Sequence, residues 1–390
     1  MSEILAATPP LFAPSEYAMR QANAASALRD ANLDALLIFA PESMYWLTGY
    51  DTFGFAMFQA MVLDADGRID LLTRLPDLRQ AQNTSVLPCE CIHIWPEHQD
   101  AAPANDLADL LRNLGLSGKR LGWETRTAGL TFANGQSIAD AVPNLTDASD
   151  LIPVLRRVKS DAEIAMIRRA AGMTDAALDA ALRTTTPGAF EGDIHAAMQS
   201  AILSMGGEPA GNETVIGSGA NALLCRSFAG RRHLDARDQL TLEWSGSAAR
   251  YHAAAMRTIV IGTPSDQQRK MHAACEEALE ACEAAIRPGR PMADVYTAHA
   301  DVFDKRGLSH ARLQACGYGM GIAYNPIWVE FPMFYEGNPL IMQENQAFFL
   351  HMIVMDSDAG LAMTLGHTVL VTADGAERLS RHGTDLLTVS

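Results

Sequence analysis

The sequence predicts a two-domain α/β protein, with a small α/β domain over residues 1–155 and a larger α+β domain over residues 156–390. Three observations carry this. A chain of 390 residues is long enough for two full hydrophobic cores. Its first part alternates short helical and strand-like stretches. The remainder opens on a long helical stripe and closes on a series of strand-like segments.

In the first part, Ser15 to Asn32 reads as a helix ahead of the apolar run Leu36-Leu37-Ile38-Phe39. Met57 to Leu63 and Ile69 to Leu72 read as strands, separated by the turn Asp64-Ala-Asp-Gly67. Breaks fall at Ala101 to Asn105 and around Leu151-Ile-Pro153. The second part begins with Lys159-Ser160-Asp-Ala-Glu163, a capping box ahead of an apolar stripe of Ile164, Ile167, Ala171, Met173, Leu178 and Leu182. A second helix is expected from Asp193 to Met205. Strands are expected at Thr214–Ile216, Gln239–Trp244 and Met256–Ile261, then helices at Ser265–Ile286 and Met292–Lys305. The chain closes with Ala347–Val354, Leu361–Leu365 and Thr368–Val371, which read as β-strand segments.

Composition narrows the function. Apolar residues make up 48% and charged residues 19%, as in ordinary soluble domains. The net charge of −16 argues against nucleic-acid partners, since no basic stripe is present to neutralise phosphates. No apolar run is long enough to span a membrane, and the N-terminus lacks a basic start with an apolar core, so a cytoplasmic location is expected. The six cysteines, Cys89, Cys91, Cys225, Cys275, Cys282 and Cys316, lack paired zinc spacing and read as small apolar residues in a reducing compartment.

Alternation along Gln239-Leu-Thr-Leu-Glu243-Trp244 puts Glu243 on one face with Thr241 and Ser245, while Leu240, Leu242 and Trp244 face the other way. The segment Glu243 to Thr258 looks like a metal-binding hairpin whose ligands have been replaced. Together with Leu155-Arg-Arg-Val-Lys-Ser160, Gly217-Ser-Gly-Ala-Asn221, Gly317-Tyr-Gly-Met-Gly321 and Thr368-Val-Leu-Val-Thr372, it resembles the pita-bread fold of creatinase, prolidase, aminopeptidase P and methionine aminopeptidase. Trp46-Leu-Thr-Gly-Tyr50 is similar to the smaller domain of the creatinase and prolidase branch. The resemblance implies a small creatinase-type N-terminal α/β domain followed by a C-terminal pita-bread domain.

The peptidases of this family hold two metal ions with Asp, Asp, His, Glu and Glu. Matching by motif, those positions fall at Glu243, Ala254, Tyr318, His351 and Gly366, so the resemblance implies no bound metal and no other cofactor. Two further family histidines fall at Arg226 and Asn325. Metal-free members of the fold include creatinase and ectoine hydrolase. The pattern is more similar to ectoine hydrolase through Trp46 to Asp51, through Glu243…Arg250-Tyr251-His252…Arg257-Thr258, and through Gly317-Tyr318…Gly321…Tyr324-x-Pro326-x-Trp328-x-Glu330. The implied activity is metal-independent hydrolysis of a C–N bond in a small amidine- or guanidine-type carboxylic acid. The alternatives are a catalytically inactive pita-bread binding protein, or a metal-dependent Xaa-Pro peptidase or lyase on the same fold.

Candidate roles follow. Glu243 could pair with an amidinium and act as base or nucleophile, or be a buried acid held by Arg257. Arg226 could hold a substrate carboxylate or pair with Glu243 internally. His351 could donate a proton to the leaving nitrogen, Tyr318 could face a developing tetrahedral centre, and His252 is a third catalytic candidate. Arg257, Tyr324, Trp328 and Glu330 are candidate substrate-binding residues, and the aromatic group also takes in Phe331, Phe334 and Tyr335. His367 is expected to point away from the cavity. In the creatinase branch the partner's small domain reaches the active site, which implies a homodimer with Arg74 and Tyr50 contributing in trans.

Overall fold

The computed structural model describes residues 11–228 and 231–390. Contacts divide the chain into two compact units at Arg156/Arg157. The first contains α1 (Pro14–Asp30), β1 (Ala35–Ile38), α2 (Pro41–Thr48), β2 (Ala60–Asp64), β3 (Ile69–Thr73), α3 (Leu75–Thr84), β4 (Ile92–Ile94), α4 (Pro103–Asn113), β5 (Leu121–Trp123), α5 (Phe132–Ala141), β6 (Leu145–Asp147) and α6 (Leu151–Arg156). Its strands form one mixed sheet in the order β4-β3-β2-β1-β5-β6. Leu37, Ala60, Val62 and Leu72 on the sheet and Leu107, Leu111 and Ile138 on the helices pack into a single core. The Glu124 carboxylate accepts from the Phe39 and Ala40 amides and from Ser43 Oγ, 2.7–3.0 Å away, so it pins the segment that leads into α2.

The second unit contains α7 (Asp161–Thr184), α8 (Glu191–Ser204), β7 (Val215–Ser218), β8 (Asp238–Ala248), β9 (Tyr251–Ile261), α9 (Asp266–Ala285), α10 (Ala293–Lys305), β10 (Ala315–Gly319), β11 (Glu330–Tyr335), β12 (Ala347–Asp356), β13 (Leu361–Thr372), β14 (Gly375–Arg378) and β15 (Leu387–Val389). The main sheet runs β11-β10-β12-β13-β9-β8-β7, with β14 on β13 and β15 on β9. Ser160 and Glu163 form the expected capping box at the start of α7, and Ser265 with Gln268 forms a second at α9. The apolar faces of α9 and α10 bury against Leu350, Met352, Val354, Leu365 and Val369 of β12 and β13. Cys275, Cys282 and Cys316 are part of that core, and all six cysteines are free.

Helix α7 lies close against the β8–β9 hairpin because the contact is made by small residues. A Cβ on Gly246 would stand 2.3 Å from the Ala170 carbonyl oxygen. Thr174 Oγ1 accepts from the Gly246 amide at 2.8 Å, and the Trp244 indole donates to the Thr174 carbonyl at 2.9 Å. Trp244 therefore faces the helix, and the alternation turns Glu243 to the opposite face. The hairpin turns at Ala249 and Arg250, both with positive φ (51° and 65°), the geometry of a two-residue primed turn made here without glycine.

One expected boundary is corrected. The two short strands read at Leu361–Leu365 and Thr368–Val371 are a single strand, β13, which runs through Gly366. Glycine is needed there because a Cβ would meet the Leu350 carbonyl oxygen at 2.3 Å. Among the described residues, no helix is long and apolar enough to cross a membrane.

Candidate active site

Strands β8, β10 and β12 each present one polar side chain to a cavity of about 540 Å3 in the second unit: Glu243, Tyr318 and His351. Tyr318 Oη donates to Glu243 Oε1 at 3.2 Å, and the Trp328 indole Nε1 donates to Tyr318 Oη at 2.8 Å. The phenol is thus oriented from behind and passes its one proton toward the carboxylate. Trp328 is itself fixed by its backbone amide, which donates to Asn212 Oδ1 at 3.1 Å. The Tyr318 ring stacks at a tilt against His351 and edge-on against Phe349, with centroids 5.6 and 5.4 Å apart.

Burial sets the protonation states. It pushes the Glu243 carboxyl up to about 7, against the lowering pull of the Tyr318 hydroxyl and the Arg226 charge. The side chain still has partial access to the cavity. Burial and the Glu243 charge both raise the Tyr318 phenol, so it keeps its proton at neutral pH and remains a donor. Desolvation lowers His351 to about 4, leaving a neutral imidazole whose Nδ1 has no hydrogen-bond partner. His351 therefore does not start as a charged proton donor at neutral pH, which corrects that part of its expected role. It can accept a proton or hold a polar group.

Arg226 reaches the cavity from the segment after β7. Glu191 accepts from the Ser218 amide and hydroxyl at 2.9 and 2.5 Å, and the Ile216 amide bonds the Ser227 carbonyl at 2.9 Å, which folds this segment back along β7. Arg226 is exposed, lines the cavity and makes no ion pair among the described residues, so the expected alternative of an internal pair with Glu243 is not found.

Four candidate site residues of the second unit do not line this cavity. His252 is buried, with Nδ1 at 2.8 Å from the Arg250 carbonyl and Nε2 accepting from the Gly211 amide at 2.9 Å, so both ring nitrogens are used to hold backbone. Burial lowers it to about 4 and keeps it neutral. Arg257 is buried and donates to the carbonyls of Met256 and Gly366 at 2.8 and 2.6 Å and of Gly383 at 3.2 Å, instead of holding Glu243 or a ligand. Glu330 forms a buried pair with Lys159, which fits because Gly321 has no Cβ to occupy the same space. Tyr324 lies beneath the Arg250 guanidinium, 4.9 Å from its ring centre. His367 pairs with Glu283 at 2.5 Å, away from the cavity. In the first unit, Arg74 donates to Glu97 at 2.9 Å and Tyr50 is buried.

Of the aromatic group, Trp328 and Phe331 line the cavity, Phe334 is in the core and Tyr335 is exposed. Sequence reasoning missed Asn212 and Cys225, which come from irregular segments with no periodic signal. It also missed the apolar wall of Leu313, Ile327, Met333 and Ile353. The alternation of Phe331 and Met333 on one strand was a usable sign of part of that wall.

A dinuclear metal centre does not fit these residues. Ala254 has no donor, and both its amide and carbonyl are engaged by Thr368 Oγ1 at 2.8 and 3.0 Å. Gly366 sits directly opposite His351 with its backbone too close to Leu350 to admit a side chain. No group of three His, Cys, Asp or Glu side chains suited to a metal ion occurs among the described residues.

A cavity-lining carboxylate on a mixed sheet backed by paired helices, joined to a six-stranded α/β unit, defines a pita-bread hydrolase framework. The chain belongs to the metallopeptidase family M24, whose model matches residues 165–373, more than half of its length, and a creatinase/prolidase N-terminal domain matches residues 20–158. It is 28% identical to an uncharacterized hydrolase/peptidase of Sinorhizobium fredii, over 95% of this chain and 96% of that protein. It is 26% identical to the ectoine hydrolase of Halomonas elongata, again over 95% and 96%. The crystal structure of dipeptidase PepE from Mycobacterium ulcerans superposes with a TM-score of 0.84 at 25% identity, covering 97% of this chain and 99% of that one.

Proposed function

We propose that this family member is a metal-independent hydrolase of a C–N bond in a small amidine- or guanidine-type carboxylic acid. The observation that supports this most is Glu243: a carboxyl poised near neutrality, held by Tyr318 and facing a cavity that it shares with Tyr318 and His351, at positions where the resemblance places metal ligands. Ionised, it forms charge-assisted hydrogen bonds to a flat cationic C–N group, while Arg226 supplies a positive fork for the substrate carboxylate. The similarity to an ectoine hydrolase agrees with that substrate class.

In the proposed reaction, Glu243 takes a proton from water as the water oxygen bonds to the amidine carbon. The C=N electron pair moves onto nitrogen, giving a tetrahedral centre beside the Tyr318 hydroxyl. Glu243 then returns its proton to the leaving nitrogen. As the C–N bond breaks, the hydroxyl oxygen closes to C=O and gives up its proton to the departing amine, leaving an amide (or, from a guanidine, a urea) and a protonated amine. One carboxyl with a pKa near 7 suits both transfers, because it is neither too weak a base nor too weak an acid. His351, neutral and with Nδ1 free, orients the water or the substrate.

The test is amine release across ectoine, creatine, related amidino acids and Xaa-Pro dipeptides, using the wild type and Glu243→Gln. Turnover of an amidine or guanidine acid that disappears in Glu243→Gln supports the proposal. Turnover of Xaa-Pro dipeptides alone rejects it.

A further inference from the structure

We infer that the substrate carries an apolar substituent, seated along a shelf of Leu313, Ile327, Phe331, Met333 and Ile353 while its cationic C–N group rests on Glu243. This deepens the proposed function and rests on it. The cavity is two-sided. Its inner end holds the buried Tyr318, Trp328 and His351, whereas Ile327 and Phe331 stand at the outer end with 40% and 66% of their surface open to water. Because these open apolar side chains line the same cavity as Glu243, they fit a ligand whose hydrocarbon part extends out of it.

The strand geometry builds this shelf. On β11 the burial alternates, so Phe331 and Met333 share one face while Glu330, Pro332 and Phe334 are turned inward. Met333 is paired with Tyr318 across β10 and β11, so the hydrocarbon surface begins beside the phenol that holds Glu243. On β12, Ile353 stands two residues beyond His351, on the same face. A cavity of about 540 Å3 falls within the range of roughly 300–1,000 Å3 that encloses a drug-sized ligand. A compact, wholly polar amidino acid would occupy the inner end and leave this shelf in water. A substrate with an alkyl or aryl group would cover both.

The experiment is calorimetric titration of acetamidine, butyramidine, hexanamidine and benzamidine, each beside its neutral amide, into the wild type, Glu243→Gln, Ile327→Ser and Phe331→Ser. Ile327 and Phe331 are partly open to water, so their replacement leaves the fold intact, which thermal unfolding verifies. The expected result is a gain in amidine affinity of roughly fourfold per methylene until the shelf is filled. Either serine variant brings the longer amidines down toward acetamidine, and Glu243→Gln weakens all amidines alike. Equal affinities across the amidines, still weakened by Glu243→Gln, would overturn the shelf and leave the proposed function standing. A chain-length slope shared by neutral amides and indifferent to Glu243→Gln would overturn both, as would the absence of binding by every amidine.

Discussion

In the proposed reaction, the ionisation of Glu243 is the single-residue property on which the chemistry turns. Its carboxyl is raised to about 7 by burial, so the base form is absent in acid and kcat/KM should rise with pH through that value. Glu243→Gln should lower kcat/KM by about a hundred- to ten-thousand-fold. The same shift has the opposite sign for stability. A carboxyl harder to ionise in the folded state contributes fully below its unfolded value of 4.5, and that contribution is lost as pH rises through about 7. Glu243→Gln should therefore unfold no lower than the wild type at pH 8, as measured by calorimetry. Tyr318→Phe removes a hydrogen bond that lowers the Glu243 pKa, so the midpoint of the pH–rate profile should move to higher pH. An unmoved midpoint would mean that the phenol does not control the carboxyl.

At the scale of elements, polar residues near the site in sequence serve two different ends. The face that Glu243 takes was readable because strand alternation fixes it, and the capping box at Ser160 was readable because its partners are three residues apart. His252 and Arg257 sit on the next strand and look equally chemical, but their partners are backbone atoms brought in by the tertiary fold. His252→Leu leaves the Gly211 amide unpaired and should cost about 1–3 kcal/mol of stability in urea titration. Because His252 is lowered to about 4, its contribution is present above 6.5 and is lost as pH falls toward 4, so the acid limb of stability should be shallower in this variant. The close backbone approach of Gly366 to Leu350 leaves no local trace in the sequence. Gly366→Ala should force β12 and β13 apart and lower the unfolding temperature; an unchanged temperature would show that the approach relaxes freely.

For the molecule as a whole, the two-part organisation and the pita-bread framework were legible because their landmarks are ordered motifs spread along the chain, from Leu155 to Thr372. The apolar wall was less legible, since its residues come from separate segments that only the folded sheet brings together. The proposal of metal-independent chemistry rests on Ala254, Tyr318, His351 and Gly366 standing where the resemblance places metal ligands, around one acid, Glu243. The most direct measurement is amine release from the best amidine or guanidine substrate after exhaustive dialysis against a chelator, with and without added manganese or zinc. Turnover should be the same in all three conditions and lower by about a hundredfold or more in Glu243→Gln. Turnover abolished by the chelator and restored by either metal would contradict it.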